Sequence, residues 1–240
     1  LTADHVQRTT NKNVVLYTFG APKPGFEGFA KSLTTGLKPE NVHRAYHATD
    51  PIPMVHLYPF MHPPLPGYGH FVGSTNSILS FGAHKMGKYI KSVENGTWKS
   101  MQKHPPIAGY EVIEKWLESD GGLNPFGVDT WCWMNAGLEY VLKKILGSAA
   151  VVVQAPFIGA LSLADKIAWI LHKGIDLAVD AGKWVLLLMR KMMQMLHMKV
   201  VDTANELTRA LMRAVLERIM DKINQEAIKA LYGLLRPPIG

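Results

Sequence analysis

Residues 14–25 read VVLYTFGAPKPG and predict a strand that is followed by a turn. Its first six residues are apolar and rich in β-branched and aromatic side chains, which predicts a buried strand that stops at Gly20. Residues 42–48 (VHRAYHA) alternate well enough to predict a second strand, and the DPIP sequence at 50–53 ends it because proline cannot pair within a sheet. Residues 26–33, between the strands, predict a short amphipathic helix. This strand–helix–strand order indicates an α/β fold.

Downstream of the second strand, the pattern changes several times before it becomes steadily helical. Residues 59–69 hold four prolines and two glycines, which predicts a loop. Residues 70–72 favour a short strand, and residues 78–93 favour a helix that is weakened by two glycines. Residues 96–135 are again interrupted by proline and glycine, apart from a short helix near 109–117, so we interpret them as a connector.

Residues 136–240 have helical periodicity almost throughout. Apolar residues step by three and four along one face, at positions 200, 204, 207, 211, 215, 219, 223, 227 and 231. Residues 145–164 contain no charge and are long enough for a membrane span, but a proline and several small or polar residues favour a buried helical hairpin. Five methionines crowd 189–198, which indicates either a bundle interior, the reading we favour, or a surface facing lipid or a partner.

Composition excludes several classes of protein. The 240 residues are 48% hydrophobic and 19% charged, which is typical of a folded chain. The single cysteine, Cys132, excludes an internal disulfide framework and a cysteine-based zinc site. The spacing of the ten histidines does not predict a metal site, and no motif indicates nucleotide or nucleic-acid binding. Residues 1–10 lack the apolar core of a secretory signal.

The net charge of the chain is compatible with anionic binding partners. The net charge is +7, divided as +2 over residues 1–135 and +5 over residues 136–240. A mild basic excess of this kind allows binding to a membrane surface but does not demand it.

An aspartate followed by a histidine forms the candidate chemical site. Asp50 comes directly after a predicted strand, and functional loops of open α/β sheets lie beyond the carboxyl ends of strands. An Asp followed in sequence by a His fits the acid–base part of a Ser…Asp…His triad. In such a triad the Asp fixes the imidazole tautomer and the His moves the proton. His84 is the first candidate for the histidine, and His70, which we read mainly as structural, is the alternative.

Simpler interpretations of these residues stay open at the level of sequence. Asp50 precedes a proline and can serve as a turn former alone. His84 can be an exposed histidine at a helix start. Trp131 and Trp133, on either side of Cys132, indicate an anchoring cluster and not a redox site.

Several motifs, in this order, match a known family. Residues 17–25 (YTFGAPKPG) match a Y-T-x-G-x-P-R-V-G-like turn that follows a strand, and residues 50–53 (DPIP) match a D-x-V-P-like loop. Residues 68–73 (YGHFVG) match a Tyr-x-His-x-Gly strand loosely. On these motifs the chain resembles the class 3 lipases, the fungal-lipase-like branch of the α/β-hydrolases. The first two motifs form a fairly specific pair, whereas the histidine motifs are individually weak.

The resemblance implies roles for individual residues. Asp50 stands at the family's catalytic Asp. His84, with Tyr89 five residues on, looks like the family's catalytic His at a helix start. The family's nucleophile is the Ser of a G-x-S-x-G elbow, and this sequence contains no G-x-S-x-G. We therefore expect the serine upstream of residue 1 or on a companion chain, and we expect this chain to be inactive alone.

The resemblance also implies an organisation and a function. Residues 1–95 are expected to be the C-terminal part of a lipase α/β-hydrolase domain, 96–135 a connector and 136–240 an α-helical extension. The implied activity is hydrolysis of lipid or phospholipid esters, with no metal or organic cofactor and no nucleic-acid partner. The extension suggests a membrane surface or an inhibitor or carrier protein as partner, as for an exported bacterial phospholipase toxin or effector.

Two alternatives come from other functional classes. One is a non-catalytic binding module that kept the lipase scaffold. The other is a membrane-inserting helical protein, for which residues 145–196 are the candidate segment.

Overall fold

The computed structural model describes most of the chain. The described residues are 2–10, 12–65, 69–72, 79–101, 103–104, 109–121, 123–124, 127–147, 162–177 and 179–235. Contacts divide the chain into two compact units: unit 1, residues 1–106 with 223–240, and unit 2, residues 107–222. The fold is mixed α/β, with the sheets in unit 1 and a helical unit 2.

A four-stranded sheet organises unit 1. Its strands, in spatial order, are β1 (Leu16–Phe19), β3 (Val42–His47), β5 (Gly69–Val72) and β6 (Lys103–His104). The first three strands are parallel, and β6 is antiparallel to β5. Two further short strands, β2 (Gly25–Phe26) and β4 (Phe60–Met61), pair with each other in an antiparallel sheet.

Helices lie on both faces of this sheet. Side chains alternate along β3, so Val42 and His47 point to opposite faces. Val42 packs with Leu33 and Leu37 of α2 (Glu27–Leu37). His47 contacts Ser92 of α3 (Met86–Val93). The first helix, α1 (Thr2–Thr9), contacts α2.

The structure confirms the predicted strand–helix–strand order, with two differences. The strand predicted over 14–19 begins at Leu16 and is an edge strand, and its Tyr17 is about half exposed. It is less buried than its apolar sequence predicts because no strand of the described ranges pairs with its outer edge. The helix predicted over 78–93 is divided into a short 3₁₀ helix, Phe81–His84, and α3.

Unit 2 is built from helices. They are α4 (Tyr110–Glu118), α5 (Val128–Gly147), α6 (Leu163–Leu177), α7 (Val179–Met195) and the first part of α8 (Arg209–Leu235). Several residues of the predicted apolar stripe are buried, namely Leu207, Val215, Ile219, Ile223 and Ala227. Leu211, in the same stripe, is partly buried. A loop and a short 3₁₀ helix, Ala204–Glu206, separate α7 from α8.

The methionine cluster belongs to the interior of unit 2. Its fully buried members are Met189, Met192, Met193 and Met195, joined by Met134 of α5 and Met212 of α8. Methionine is unbranched and flexible, so it fills irregular gaps between helices. The structure therefore favours the bundle-core interpretation of these residues over the lipid-facing one.

The uncharged stretch at 145–164 lies mostly outside the described residues, since 148–161 are among those not described. The predicted hairpin there stays a prediction. Of the helices in the described ranges, none combines the length and the hydropathy that crossing a bilayer requires.

Candidate functional site

The carboxylate of Asp50 lies at the carboxyl end of β3 and accepts three hydrogen bonds. Its side chain is 0% exposed. Oδ1 accepts from the backbone N–H of Ile52 at 2.9 Å, which closes a tight turn around Pro51. Oδ2 accepts from the Tyr89 hydroxyl at 2.8 Å and faces His84 Nδ1 at 2.8 Å. A buried carboxylate with this many donors is held in one orientation as an acceptor.

His84 supplies the imidazole of the pair. It ends the short 3₁₀ helix that precedes α3, and its side chain is 15% exposed. Because the carboxylate of Asp50 accepts, Nδ1 of His84 donates, and in the neutral imidazole Nε2 then has a lone pair. The imidazole therefore presents a proton acceptor backed by a buried carboxylate.

Tyr89 supports the carboxylate from α3. Its hydroxyl donates to Asp50 Oδ2 and accepts the backbone N–H of His47 at 3.0 Å. Burial, and then the charge of Asp50, raises the pKa of the Tyr89 phenol far above its ordinary value. The phenol therefore stays protonated and keeps its donor for the carboxylate.

His47 holds the backbone beside His84. Its Nδ1 lies 2.8 Å from the carbonyl oxygen of Ala83, and its Nε2 lies 3.0 Å from Ser92 Oγ. Since a carbonyl only accepts, Nδ1 donates in the first contact. The imidazole of His47 also stacks on the ring of Tyr89, with ring centroids 4.0 Å apart. One buried histidine thus contacts both the segment that carries His84 and the tyrosine that binds Asp50.

Gly20 leaves room for the side chains of Asp50 and His84 because it has no Cβ. Its φ of +62° lies in the left-handed region, which side chains with a Cβ rarely adopt. A Cβ at this position would lie 2.6 Å from Asp50 Oδ2, 2.9 Å from the Tyr89 hydroxyl and 3.0 Å from His84 Nδ1. Residue 20 must therefore be glycine for the hydrogen bonds of Asp50 to form.

Two backbone contacts tie the surrounding loops to the sheet. The Gly20 N–H donates to the carbonyl of Ala45 in β3 at 3.0 Å. The Ser80 N–H donates to the carbonyl of Thr49 at 2.9 Å, which brings the start of the His84 segment next to Asp50. The loops after β1, after β3 and before α3 thus converge at one end of the sheet, as the sequence predicted for functional loops.

Three basic side chains lie close enough to influence one another: Arg44 on β3, Lys23 after β1 and His62 after β4. Burial lowers the pKa of the Arg44 guanidinium to about 10. His62 Nε2 donates to the carbonyl of Pro53 at 2.8 Å. Burial, followed by the charges of Arg44 and Lys23, holds the pKa of His62 well below its usual range. The Lys23 ammonium donates to the carbonyl of His56 at 2.7 Å.

The alternative histidine occupies a different environment. His70 is buried on β5, where its ring lies 5.0 Å from the Trp98 ring and 6.0 Å from the His43 ring, centroid to centroid. The structure brings His84, and not His70, within 2.8 Å of the Asp50 carboxylate. Tyr68 and Gly73 of the loosely matched motif lie outside the described residues.

Within the part of the chain that the structure describes, no group of three or more His, Cys, Asp or Glu side chains is arranged to hold a metal ion. Cys132 is exposed between Trp131, which is buried, and Trp133, which stacks on Trp116 at 6.0 Å. Among the residues that the structure describes, only the Asp50–His84 pair combines a buried carboxylate with a partly exposed imidazole.

The chain was compared with known proteins in three ways. No family model matches it, and neither the curated proteins nor the solved structures contain a match.

Sequence reasoning identified Asp50 and His84 but missed the roles of their supports. The sequence indicates His47 only as one of ten histidines, and Gly20 only as the end of a strand and a position of the motif at 17–25. Tyr89 was noted by its distance from His84, with no contact assigned. One usable signal was the spacing of His47 three residues before Asp50, which places both at the end of the same strand.

Proposed function

We propose that Asp50 and His84 are the acid–base pair of a serine ester hydrolase that acts on lipid esters. The observation that carries this proposal is the contact between a fully buried carboxylate and the Nδ1 of a partly exposed imidazole, 2.8 Å apart at the carboxyl end of parallel strands. In this proposal, unit 1 contains the C-terminal part of an α/β-hydrolase domain. The resemblance of residues 17–25 and 50–53 to the class 3 lipases supports it.

The chemistry follows from the orientation of His84. As a serine hydroxyl attacks the ester carbonyl, His84 Nε2 accepts the hydroxyl proton and the imidazole becomes positively charged. Asp50 stabilises that charge without taking the proton. His84 then gives the proton to the departing alcohol, and it repeats both transfers when water hydrolyses the acyl-serine. Tyr89 and the Ile52 N–H hold the carboxylate during these transfers.

In this proposal the serine is supplied from outside this sequence, because no G-x-S-x-G is present in it. The outer edge of β1 supports this part of the proposal, since no described strand pairs with it. A parallel strand added at that edge would end on the same side of the sheet as Gly20 and Asp50. We propose that the strand carrying the nucleophile adds there, from a preceding segment or a companion chain.

The test is active-site labelling of the protein isolated from its natural source. All polypeptides that co-purify with the chain are sequenced, and their intact masses are measured. The mixture is then treated with a fluorophosphonate, which reacts with serines activated by a histidine. We expect the label on a G-x-S-x-G serine in an upstream or companion segment. A His84→Ala variant, refolded and compared by circular dichroism, should lose the label.

Two results would overturn the proposal. The first is a natural protein in which no segment contains a G-x-S-x-G, since the pair would then have no nucleophile to serve. The second is labelling that survives in His84→Ala, because the activated serine would then use another base. As a matched control, His197→Ala alters an exposed histidine of unit 2 and should leave labelling unchanged.

A further inference from the structure

Arg44 is a buried cation on β3, and only 8% of the residue is exposed. It is three positions from His47 in the strand, so the two side chains point to opposite faces of the sheet. Arg44 shares its face with Val42, which packs with Leu33 of α2. The guanidinium therefore lies outside the hydrogen-bonded network around His47.

The guanidinium of Arg44 lies against the backbone of β5. A Cβ at Gly69 would lie 2.7 Å from Nη2 and 2.8 Å from Cζ of Arg44, so a side chain at residue 69 would displace the guanidinium. The Cζ atom is also 4.9 Å from the centroid of the Tyr46 ring. The face of that ring attracts the positive charge but offers no oxygen lone pair to the N–H groups of the guanidinium.

Within the described part of unit 1, the guanidinium of Arg44 has no anionic partner. Its Nε is buried and forms no hydrogen bond. Glu40 and Glu94 are exposed, and the other acidic residues of the unit are paired with other basic side chains. The pairs are Asp4 with Arg8, Glu27 with Lys31, Asp50 with His84, and Glu226 with Lys229. A buried charge normally has a partner, because its removal from water is costly.

A second cation lies close to the same place. The charges of Arg44 and Lys23 both act on His62, although the two residues come from different segments of unit 1. The Lys23 ammonium donates to the carbonyl oxygens of Met54 and His56. Carbonyl oxygens are neutral, so these two contacts hold the ammonium in place without cancelling its charge.

We propose that Arg44, with the help of Lys23, binds a phosphate group. The planar guanidinium presents its N–H groups as a fork that matches two oxygens of a phosphate. A second cation nearby favours a phosphate over a carboxylate, because a phosphate has more oxygens to share between two cations. The phosphate is either a free ion or the diester of a lipid headgroup, and the two sources are distinguished below. Binding here does not depend on ester hydrolysis, since neither residue belongs to the proposed acid–base pair.

The test is urea unfolding of the protein in chloride and in three other salts at equal ionic strength. Inorganic phosphate represents the free ion, dimethyl phosphate represents the headgroup diester, and acetate represents a carboxylate. We expect phosphate to raise the unfolding midpoint above that in chloride, because a ligand of the folded state stabilises it. Acetate should raise the midpoint less. A rise in dimethyl phosphate as well would assign the site to the lipid diester, and a rise in inorganic phosphate alone would assign it to the free ion.

Substitutions of Arg44 connect the effect to the guanidinium. Arg44→Met keeps a long side chain for packing but removes the charge and the N–H groups. Its affinity for phosphate should fall by about tenfold or more, the factor that one charge-assisted hydrogen bond contributes. Arg44→Lys keeps the charge without the fork and should have an intermediate affinity. As the matched control, Arg8→Met alters an exposed arginine that is already paired with Asp4, and it should keep the full effect of phosphate.

Nuclear magnetic resonance gives a second readout that does not depend on the stability of a variant. The Nε resonance of Arg44, assigned by its absence in Arg44→Lys, should shift as phosphate is added to the original chain. A lack of response to phosphate in both the midpoint and this resonance would overturn the proposal. A full effect of phosphate in folded Arg44→Met would also overturn it, as would equal effects of acetate and phosphate.

Discussion

Unit 1 and unit 2 bury different kinds of side chain. Unit 1 buries a polar network at the end of its sheet, in which His47, Asp50 and Tyr89 are joined by hydrogen bonds. Unit 2 buries methionines and branched aliphatic residues between helices. Buried polar groups are costly unless each has its partner, whereas apolar packing tolerates changes of shape. The geometry of the buried groups is therefore more tightly constrained in the network of unit 1 than in the core of unit 2.

The largest change in stability is expected in unit 2. Met192 is 0% exposed, so Met192→Ala should leave a cavity and cost about 2–5 kcal/mol. The isosteric Met192→Leu should cost less than about 1.5 kcal/mol. Urea unfolding followed by circular dichroism measures both. The low-field proton resonance of His84 Nδ1 should be the same in both variants. Loss of this resonance in folded Met192→Ala would mean that the core of unit 2 and the polar network of unit 1 depend on each other.

Gly20→Ala should break the polar network of unit 1. The left-handed backbone and the close approach to Asp50 Oδ2 together should cost about 2–4 kcal/mol. The Nδ1 resonance of His84 should disappear, because the added Cβ displaces its acceptor. Gly28→Ala is the matched control, since a Cβ there meets nothing within 4 Å, and it should stabilise α2 by about 0.5–1 kcal/mol. Equal behaviour of the two variants would contradict the role given to Gly20.

Tyr89→Phe should reduce stability less than Gly20→Ala does. It removes the hydroxyl that donates to Asp50 but keeps the ring that stacks on His47. The phenyl ring keeps the stacking on His47, but Asp50 Oδ2 and the His47 N–H each lose a partner. The expected cost is about 1–3 kcal/mol. With one donor fewer on the carboxylate, the His84 Nδ1 proton should move further downfield. An unchanged resonance would show that the hydroxyl does not act on the pair.

The smallest effect concerns the dependence of stability on pH. The folded state holds the pKa of His62 well below 6.5, so the unfolded chain takes up the proton first as the pH falls. Stability should therefore be unaffected by this group above pH 6.5 and should decline below it. His62→Gln keeps a donor for the carbonyl of Pro53 and removes the titration.

The measurement for His62 is urea unfolding at several pH values. The difference in stability between the original chain and His62→Gln should change by about 1 kcal/mol between neutral pH and about pH 5.5. A difference that is constant with pH would contradict the assigned shift.

Much of unit 1 could be predicted because its signals are local. The apolar run at 14–19 and the alternation at 42–48 gave strands within two residues of their observed bounds. The prolines at 51 and 53 placed Asp50 on a loop at a strand end. The same local signals could not show that β1 is an edge strand, because edge position depends on which other strands are present.

The contacts of the site were harder to predict because they join distant parts of the chain. Tyr89 and Asp50 are 39 residues apart, and His47 and Ser92 are 45 apart. No periodic pattern in the sequence indicates that residues so far apart are in contact. The role of Gly20 follows from its φ and from the atoms around it. In the sequence alone, a glycine at the end of an apolar run has many explanations.

The assignment of Asp50 and His84 is tested most sharply by the rate of lipid-ester hydrolysis, measured on this chain together with the segment proposed to carry the nucleophile. The rate with emulsified phospholipid is compared between the original protein and Asp50→Asn, which keeps the size of the side chain but cannot stabilise a charged imidazole. An acid–base pair predicts a fall in kcat of about 10⁴-fold with folding retained. Hydrolysis at an undiminished rate in folded Asp50→Asn would contradict the assignment of Asp50 and His84 as the acid–base pair.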